Sequence, residues 1–316
     1  MSDDFTPDQK RYLEGFVSGM QSTRTARGLA PLGSGPGSAA SVPAGPDKEH
    51  REAQARTIAK GGKLAEQGKW KATEHPFDAY ARFKAQAESG TYPKPDDNFR
   101  WRYQGLFYVA PAQNSYMCRL RIPNGILTHW QFAGVADLAE HLGGGYAHVT
   151  TRANLQVREI EAQNAPAFIE ALSDLGLTAK GSGADNIRNV TGSATAGIDP
   201  RELLDTRPHA RAWHHHILND RSLYGLPRKF NVAFDGAGSI ATLEDTNDIG
   251  FQAIEVVEGA SFEGEPVRPG VWYRLALGGI TGHRDLARDT GVVVAPSDAV
   301  AVADAVIRVF TANGNR

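Results

Sequence analysis

Three short stretches alternate apolar residues with hydrogen-bond donors, and this alternation restricts the fold more than any other feature. Successive side chains of an extended strand point to opposite faces. Along 152–158, Ala153, Leu155 and Val157 fall on one face and Arg152, Asn154, Gln156 and Arg158 on the other. Arg119 and Arg121 oppose Leu120 and Ile122, and Lys229 and Asn231 oppose Phe230 and Val232. Such segments predict sheets with one face closed on a core and one face rich in donors. A solvated sheet face has the same pattern. Against that reading, Asp137 and Glu140 are the sole acidic residues between Arg119 and Arg158, and both lie in a helical stretch. A donor-rich face without local counter-charge suits an external polyanion, since each charge-assisted hydrogen bond is worth about 1.5–3 kcal/mol. Residues 119–229 hold 10 Arg against 2 Lys. That choice suits fixed recognition of carboxylates or oxyanions by a planar fork, although high-GC codon usage produces the same bias.

Around these segments, residues 4–27 read as a polar helix with Phe5, Tyr12, Leu13, Phe16 and Met20 as its apolar stripe. In 28–46, 16 of 19 residues are Gly, Pro, Ser or Ala, which reads as a disordered linker. Asp47–Lys71 predicts helix broken at Gly61-Gly62, Pro76–Glu88 a further helix, and Tyr92–Asp97 a closing loop. Tyr116–Ile122 reads as strand and Pro123-Asn124-Gly125 as a turn. Gln131–Leu142 predicts a helix with Phe132, Val135, Leu138, Ala139 and Leu142 inward. Tyr146–Arg158 reads as one strand or a bent pair. Ala165–Leu175 predicts a helix stopped at Gly176, with Phe168, Ile169, Leu172 and Leu175 inward. Strand, helix, strand, helix in about 60 residues is half of a ferredoxin-like α/β sandwich. Phe230–Phe234 and Trp272–Leu277 read as strands, and Ser297 as the cap of a last helix with Val300, Val302, Ala303, Val306, Ile307 and Phe310 inward.

Composition narrows the function. At net charge −2 the chain has no bias toward nucleic acid or anionic membrane. No apolar run is long enough to span a bilayer, and the first residues lack a signal core, which points to the cytoplasm. One cysteine, Cys118, excludes an internal disulfide framework and any iron–sulfur site built from this chain's thiolates alone. Cys118 itself reads as a buried structural thiol. In a helix the side chains of His214, His215 and His216 point about 100° apart, so they cannot share one ion. Gly62…Gly68-Lys69 departs from the phosphate-loop spacing. Gly278-Gly279 suits a tight turn or close approach to a ligand. Glu244, Asp245 and Asp248 read as a solvated turn, and the arginines of 201–221 as surface or ion-paired.

The stretches CRLRIPNG (118–125), VTTRANLQVR (149–158), SGADNIRNVTG (182–192), TAGIDPRELLDTRP (195–208), LPRKFN (226–231), NDIGF (247–251) and LGG (277–279) resemble the siroheme-dependent nitrite and sulfite reductases, in that family's order. The resemblance covers roughly 99–316. It implies an α+β fold: a helical N-terminal extension (1–98), a ferredoxin-like half-domain (99–178) and a siroheme-binding α/β domain of the nitrite/sulfite reductase type (179–316). It implies that Arg152, Asn154, Gln156, Arg158 and Arg228 hold siroheme carboxylates, and that Arg119, Arg188, Lys229 and Asn231 line the substrate pocket. It also implies nitrite as substrate and ferredoxin as electron donor. Sulfite reductases resemble LPRKFK where this chain reads LPRKFN, so Asn231 favours nitrite over the more highly charged sulfite. The family's [4Fe–4S] cluster needs four cysteines, which the resemblance places in a second half absent here. The chain then reads as an N-terminal half, inactive alone. A sulfite reductase half and a non-catalytic tetrapyrrole- or anion-binding fragment are the alternatives.

Overall fold

The computed structural model describes residues 45–108, 114–262 and 264–314. The expected helix over 4–27 and nearly all of the linker lie outside the described residues.

The charged Ala-rich stretch forms α1 (Lys48–Ala59) and α2 (Glu66–Thr73), separated at Gly61-Gly62 as the glycines predict. A single 3-10 turn at Pro76–Ala79 leads into α3 (Tyr80–Glu88). The expected loop at 92–97 instead starts a helix, α4 (Pro95–Trp101). Pro95 pre-sets φ at the first helical position, and Asp96 and Asp97 favour the N-terminal dipole. Asp96 and Asp97 also pair with Arg100 at 2.8 and 3.0 Å.

The first sheet follows: β1 (Leu106–Tyr108), β2 (Tyr116–Arg119), α5 (His129–Leu142), β3 (Ala147–Thr150), β4 (Asn154–Ile160) and α6 (Ala165–Asp174). Its order is β1-β2-β4-β3, antiparallel throughout. Thr128 and Gln131 form a reciprocal capping box at the start of α5. Val135 and Ala139 are its buried positions, whereas Phe132 is 60% exposed, contrary to its expected inward position. Phe132 shares a face with Val135 and Ala139, three and seven positions on, but it sits in the first turn of α5, where it is left uncovered. Trp101, Leu106, Cys118, Leu120, Val157, Phe168 and Leu172 form this half's core.

The second sheet comprises β5 (Thr191–Gly192), β6 (Val232–Asp235), β7 (Ile249–Val256), β10 (Gly270–Leu277) and β11 (Arg288–Val294), in the order β11-β10-β7-β6-β5. A two-stranded ribbon, β8 (Ser261–Phe262) and β9 (Glu265–Pro266), lies between β7 and β10 in the chain. The β5–β6 and β6–β7 pairs are parallel and the others antiparallel. Helices α7 (Arg207–Asn219) and α8 (Ala299–Asn313) bury Trp213, Ile217, Ala303 and Ile307 with Phe234, Phe251 and Tyr273. The cap of α8 is Asp298 rather than Ser297, after a 3-10 turn at Pro296–Asp298. The N-terminal helical segment packs into both cores: Ala79 and Phe83 into the first, Phe99 and Tyr103 into the second. No helix among the described residues is long and apolar enough to cross a membrane.

Candidate functional site

The strand alternation expected for 152–158 holds along β4, where Leu155 and Val157 are buried and Gln156 and Arg158 more open. It stops at Ala153, whose φ of +47° is left-handed backbone. Arg152 therefore enters from the turn ahead of the strand. Asn154 is also displaced from the open face: it is 4% exposed, donates from Nδ2 to the Leu120 carbonyl and accepts from the Leu155 N–H. Arg121 departs similarly. The strand ends at Arg119, and Arg121 is 1% exposed rather than on a shared donor face with it. Its guanidinium donates to the carbonyls of Ile187 (2.6 Å), Gly181 (3.3 Å) and Arg188 (3.4 Å). Arg121 thus positions the loop that carries Arg188.

Four of the predicted residues, Arg188, Arg228, Lys229 and Asn231, line one cavity of about 390 Å³ together with Arg102 and Phe107. Arg188 is anchored by hydrogen bonds to the carbonyls of Ser182 (2.5 Å) and Ala184 (2.8 Å). Burial, reinforced by Arg119, lowers its pKa to about 9. Arg119 lies 4.6 Å from the Phe107 ring centroid. With the Gln156 amide oxygen turned toward it, that oxygen accepts from Arg119 Nε and Nη2 at 3.1 and 3.2 Å. Burial depresses Arg119 as well, with Arg102 and Arg158 adding repulsion. Arg158 donates from Nε to His148 Nδ1 at 2.9 Å. Arg152 donates to Asn247 Oδ1 (2.8 Å) and the Asn189 carbonyl (3.1 Å), and burial brings its pKa to about 10.

Arg119, Arg152 and Arg188 stay protonated at neutral pH, and their downward shifts show that they are held away from water at electrostatic cost. Of the carboxylates lining the cavity, Asp185 pairs with Lys71 at 3.0 Å. Asp248 pairs with Arg228 at 3.4 Å and accepts the Asn231 N–H at 2.8 Å. Neither closes an ion pair on Arg102, Arg119, Arg152 or Arg188. The site is a desolvated cluster of cations, and an incoming anion relieves the cost of burying them.

Several contributors escaped the sequence reading. The expected solvated turn at 244–248 is buried at Glu244 (6%), Asn247 (1%) and Asp248 (7%). Its Asn247 and Asp248 hold Arg152 and Arg228. The NDIGF stretch was the available signal. Asn189 donates to the carbonyls of Ile122, Arg152 and Ala153 and accepts the Ile122 N–H. Gly279 sits where any Cβ would overlap the Asp245 and Asn247 carbonyls, so it serves close backbone packing under the cavity. Cys118 is buried as expected, and burial pushes its thiol pKa up. His216 pairs with Asp304 at 2.9 Å while His214 is buried, so the three histidines do not converge.

Residues 183–316 match the family model described as the nitrite and sulphite reductase 4Fe-4S domain, and residues 110–175 match the nitrite/sulfite reductase ferredoxin-like half domain. A ferredoxin–nitrite reductase from Leptolyngbya laminosa is 34% identical over 250 residues, covering 77% of this chain and 46% of its own length. A chloroplastic ferredoxin–nitrite reductase from Zea mays is 31% identical over 239 residues, covering 73% and 40%. The chain thus spans about half or less of the length of these relatives. The structure of the Mycobacterium tuberculosis NirA protein shares the fold, with a TM-score of 0.70 and 23% identity over 81% of this chain and 48% of that one. With two consecutive family models matched over 110–175 and 183–316, the chain belongs to the nitrite and sulfite reductase family.

Proposed function

We propose that this chain supplies the siroheme-carboxylate ligands and anion pocket of a siroheme/[4Fe–4S] nitrite reductase that reduces nitrite to ammonia with electrons from ferredoxin. In this reading 1–98 is the extension, 99–178 the ferredoxin-like half-domain and 179–316 the siroheme-binding domain, and the remaining half is supplied by another segment. The observation that carries it is the convergence of Arg188, Arg228, Lys229 and Asn231 on one cavity in which Arg188 and Arg102 are desolvated cations.

The donor set fits a carboxylate-bearing macrocycle. Arg152 Nε is buried without an acceptor, and Gln156, Arg158 and Arg228 provide further donors. Asn154 contributes through the sheet instead, since its amide is already bonded to backbone. The cluster does not fit this chain. A [4Fe–4S] centre needs four thiolates, Cys118 is the single cysteine, and it lies outside 183–316 in the buried core of the first sheet. When bound, siroheme would supply the redox-active iron at which nitrite is reduced. This chain's residues do the rest. Arg119, Arg188 and Lys229 attract and orient the anion, and Lys229, the exposed member, passes protons to departing oxygen. Asn231 keeps the pocket one charge lower than a second lysine would, which favours nitrite over sulfite.

Two experiments test this. Titration with siroheme, followed by visible absorption, is expected to give weak saturable binding that Arg188→Gln weakens further; no binding, or binding indifferent to Arg188, overturns the reading. In an enzyme completed by the cluster-bearing half, Asn231→Lys is expected to shift preference toward sulfite, and an unchanged preference removes Asn231 from the argument.

A further inference from the structure

The cavity has one cationic wall that the strand pattern did not contain. Arg102 belongs to the 3-10 turn Arg102–Gln104, directly after α4 and ahead of both family-matched stretches. Its two neighbours fix it in place: Trp101 and Tyr103 are each 0% exposed, and Trp101 Nε1 donates to Gln86 Oε1 at 2.7 Å. Gly105 ends the turn at φ +82°, where a Cβ would meet the Ala179 and Arg119 backbone. Held between two buried aromatics, Arg102 must face the opposite way, into the cavity it shares with Arg188 and Lys229.

There it has a ring beside it and, among the described residues, no ion-pair partner. Its guanidinium lies 5.6 Å from the centroid of Phe107, the ring that Arg119 approaches at 4.6 Å. Its Nε is buried without an acceptor. Burial is the cause of its lowered pKa, with no carboxylate offsetting it, and it in turn depresses Arg119. Two like charges approach one aromatic ring, and the acids lining the cavity are engaged by Lys71 and Arg228. One aromatic ring offsets part of that repulsion; an anionic oxygen bridging the pair offsets far more.

We propose that Arg102 directly binds an anionic oxygen group in this cavity, so that the helical segment ahead of the matched domains forms part of the binding site. The ligand class is a carboxylate of a bound macrocycle or a small oxyanion, both of which present the same chemistry to a guanidinium. This inference rests on the reading of the cavity as an anion site.

The test uses the full chain and two probes. Uroporphyrin, an iron-free octacarboxylate, is titrated by its fluorescence, and nitrite is titrated by the rise it produces in melting temperature. Arg102→Gln is expected to weaken one probe about tenfold, the loss of one charge-assisted hydrogen bond, and Arg102→Lys to recover part of that. A loss confined to uroporphyrin identifies the macrocycle carboxylate, and a loss confined to nitrite identifies the small oxyanion. If Arg188→Gln weakens binding while folded Arg102→Gln leaves both probes unchanged, the inference is overturned and the cavity reading stands. If wild-type chain binds neither probe, both fall. Should Arg102→Gln fold poorly, wild-type chain is treated with phenylglyoxal and mapped by mass spectrometry. Protection of Arg102 by either probe supports the proposal, and equal modification with and without probe refutes it.

Discussion

Asn189 offers the sharpest test of how the cavity is held. Its side chain is 3% exposed and bonds only to backbone: it accepts the Ile122 N–H at 2.9 Å and donates to the carbonyls of Ile122 (2.7 Å), Arg152 (3.0 Å) and Ala153 (3.0 Å). Asn189→Ala removes all four contacts. The Arg152–Ala153 turn is half-buried, so water can replace part of what its carbonyls lose. Ile122 is 1% exposed, so its N–H stays dry, whereas its carbonyl keeps the Gly125 N–H at 3.0 Å. A buried orphaned group costs about 1–3 kcal/mol, so the Ile122 N–H sets an expected loss of about 2 kcal/mol. For a chain of this size that lowers the melting temperature by roughly 4–8 °C. Ala153 contributes separately, because its left-handed φ costs about 1 kcal/mol and persists only while the turn is clamped. Ala153→Gly is therefore expected to recover up to about 1 kcal/mol in the Asn189→Ala background. Urea denaturation with an unchanged slope measures both, and uroporphyrin titration follows Arg152. A loss under about 1 kcal/mol, or unaltered uroporphyrin affinity in the folded variant, refutes the view that Asn189 positions Arg152.

Further expectations concern pH and packing. His75 accepts the Phe77 N–H at Nδ1, which requires the neutral ring, and burial brings its pKa down to about 4. The unfolded chain, titrating near 6.5, then binds more protons than the folded one between those values. Stability should fall as pH drops from about 6.5 to 4, and His75→Asn, which keeps an acceptor but does not titrate, should flatten thermal melts over that window. Gly279→Ala should displace the 245–248 turn and weaken uroporphyrin binding. Gly282→Ala, with nothing within 4 Å of its added methyl, should change neither melting nor binding; equal effects from the two would discredit the packing argument.

Local periodicity was enough for most elements. The glycine break between α1 and α2, the capped α5, the α6 stripe through Phe168 and Leu172, and the alternation along β4 each depend on residues a few positions apart, so the sequence displays them directly. Donor-rich segments free of acidic neighbours point to an anion site because like charge without counter-charge needs an external partner. The sequence could not show where a strand stops. The same alternation that placed Gln156 and Arg158 on the open face also placed Asn154 and Arg121 there. A left-handed Ala153, together with the early end of β2, turned those two toward backbone carbonyls instead.

Contacts between distant segments belong to the tertiary structure alone. Asn247 on Arg152, Asp248 on Arg228, Lys71 on Asp185 and Arg121 on the 181–188 carbonyls each join residues 20 or more positions apart, beyond the reach of any local pattern. Arg102 is the clearest case. In the sequence it is one arginine near the end of a helical stretch. Folding buries Trp101 and Tyr103 on either side of it, which leaves its guanidinium no direction but the cavity. The chain's own residue order thus determined that it would carry a surplus of cations in these segments, and burial of neighbouring aromatics decided which of them would face the cavity.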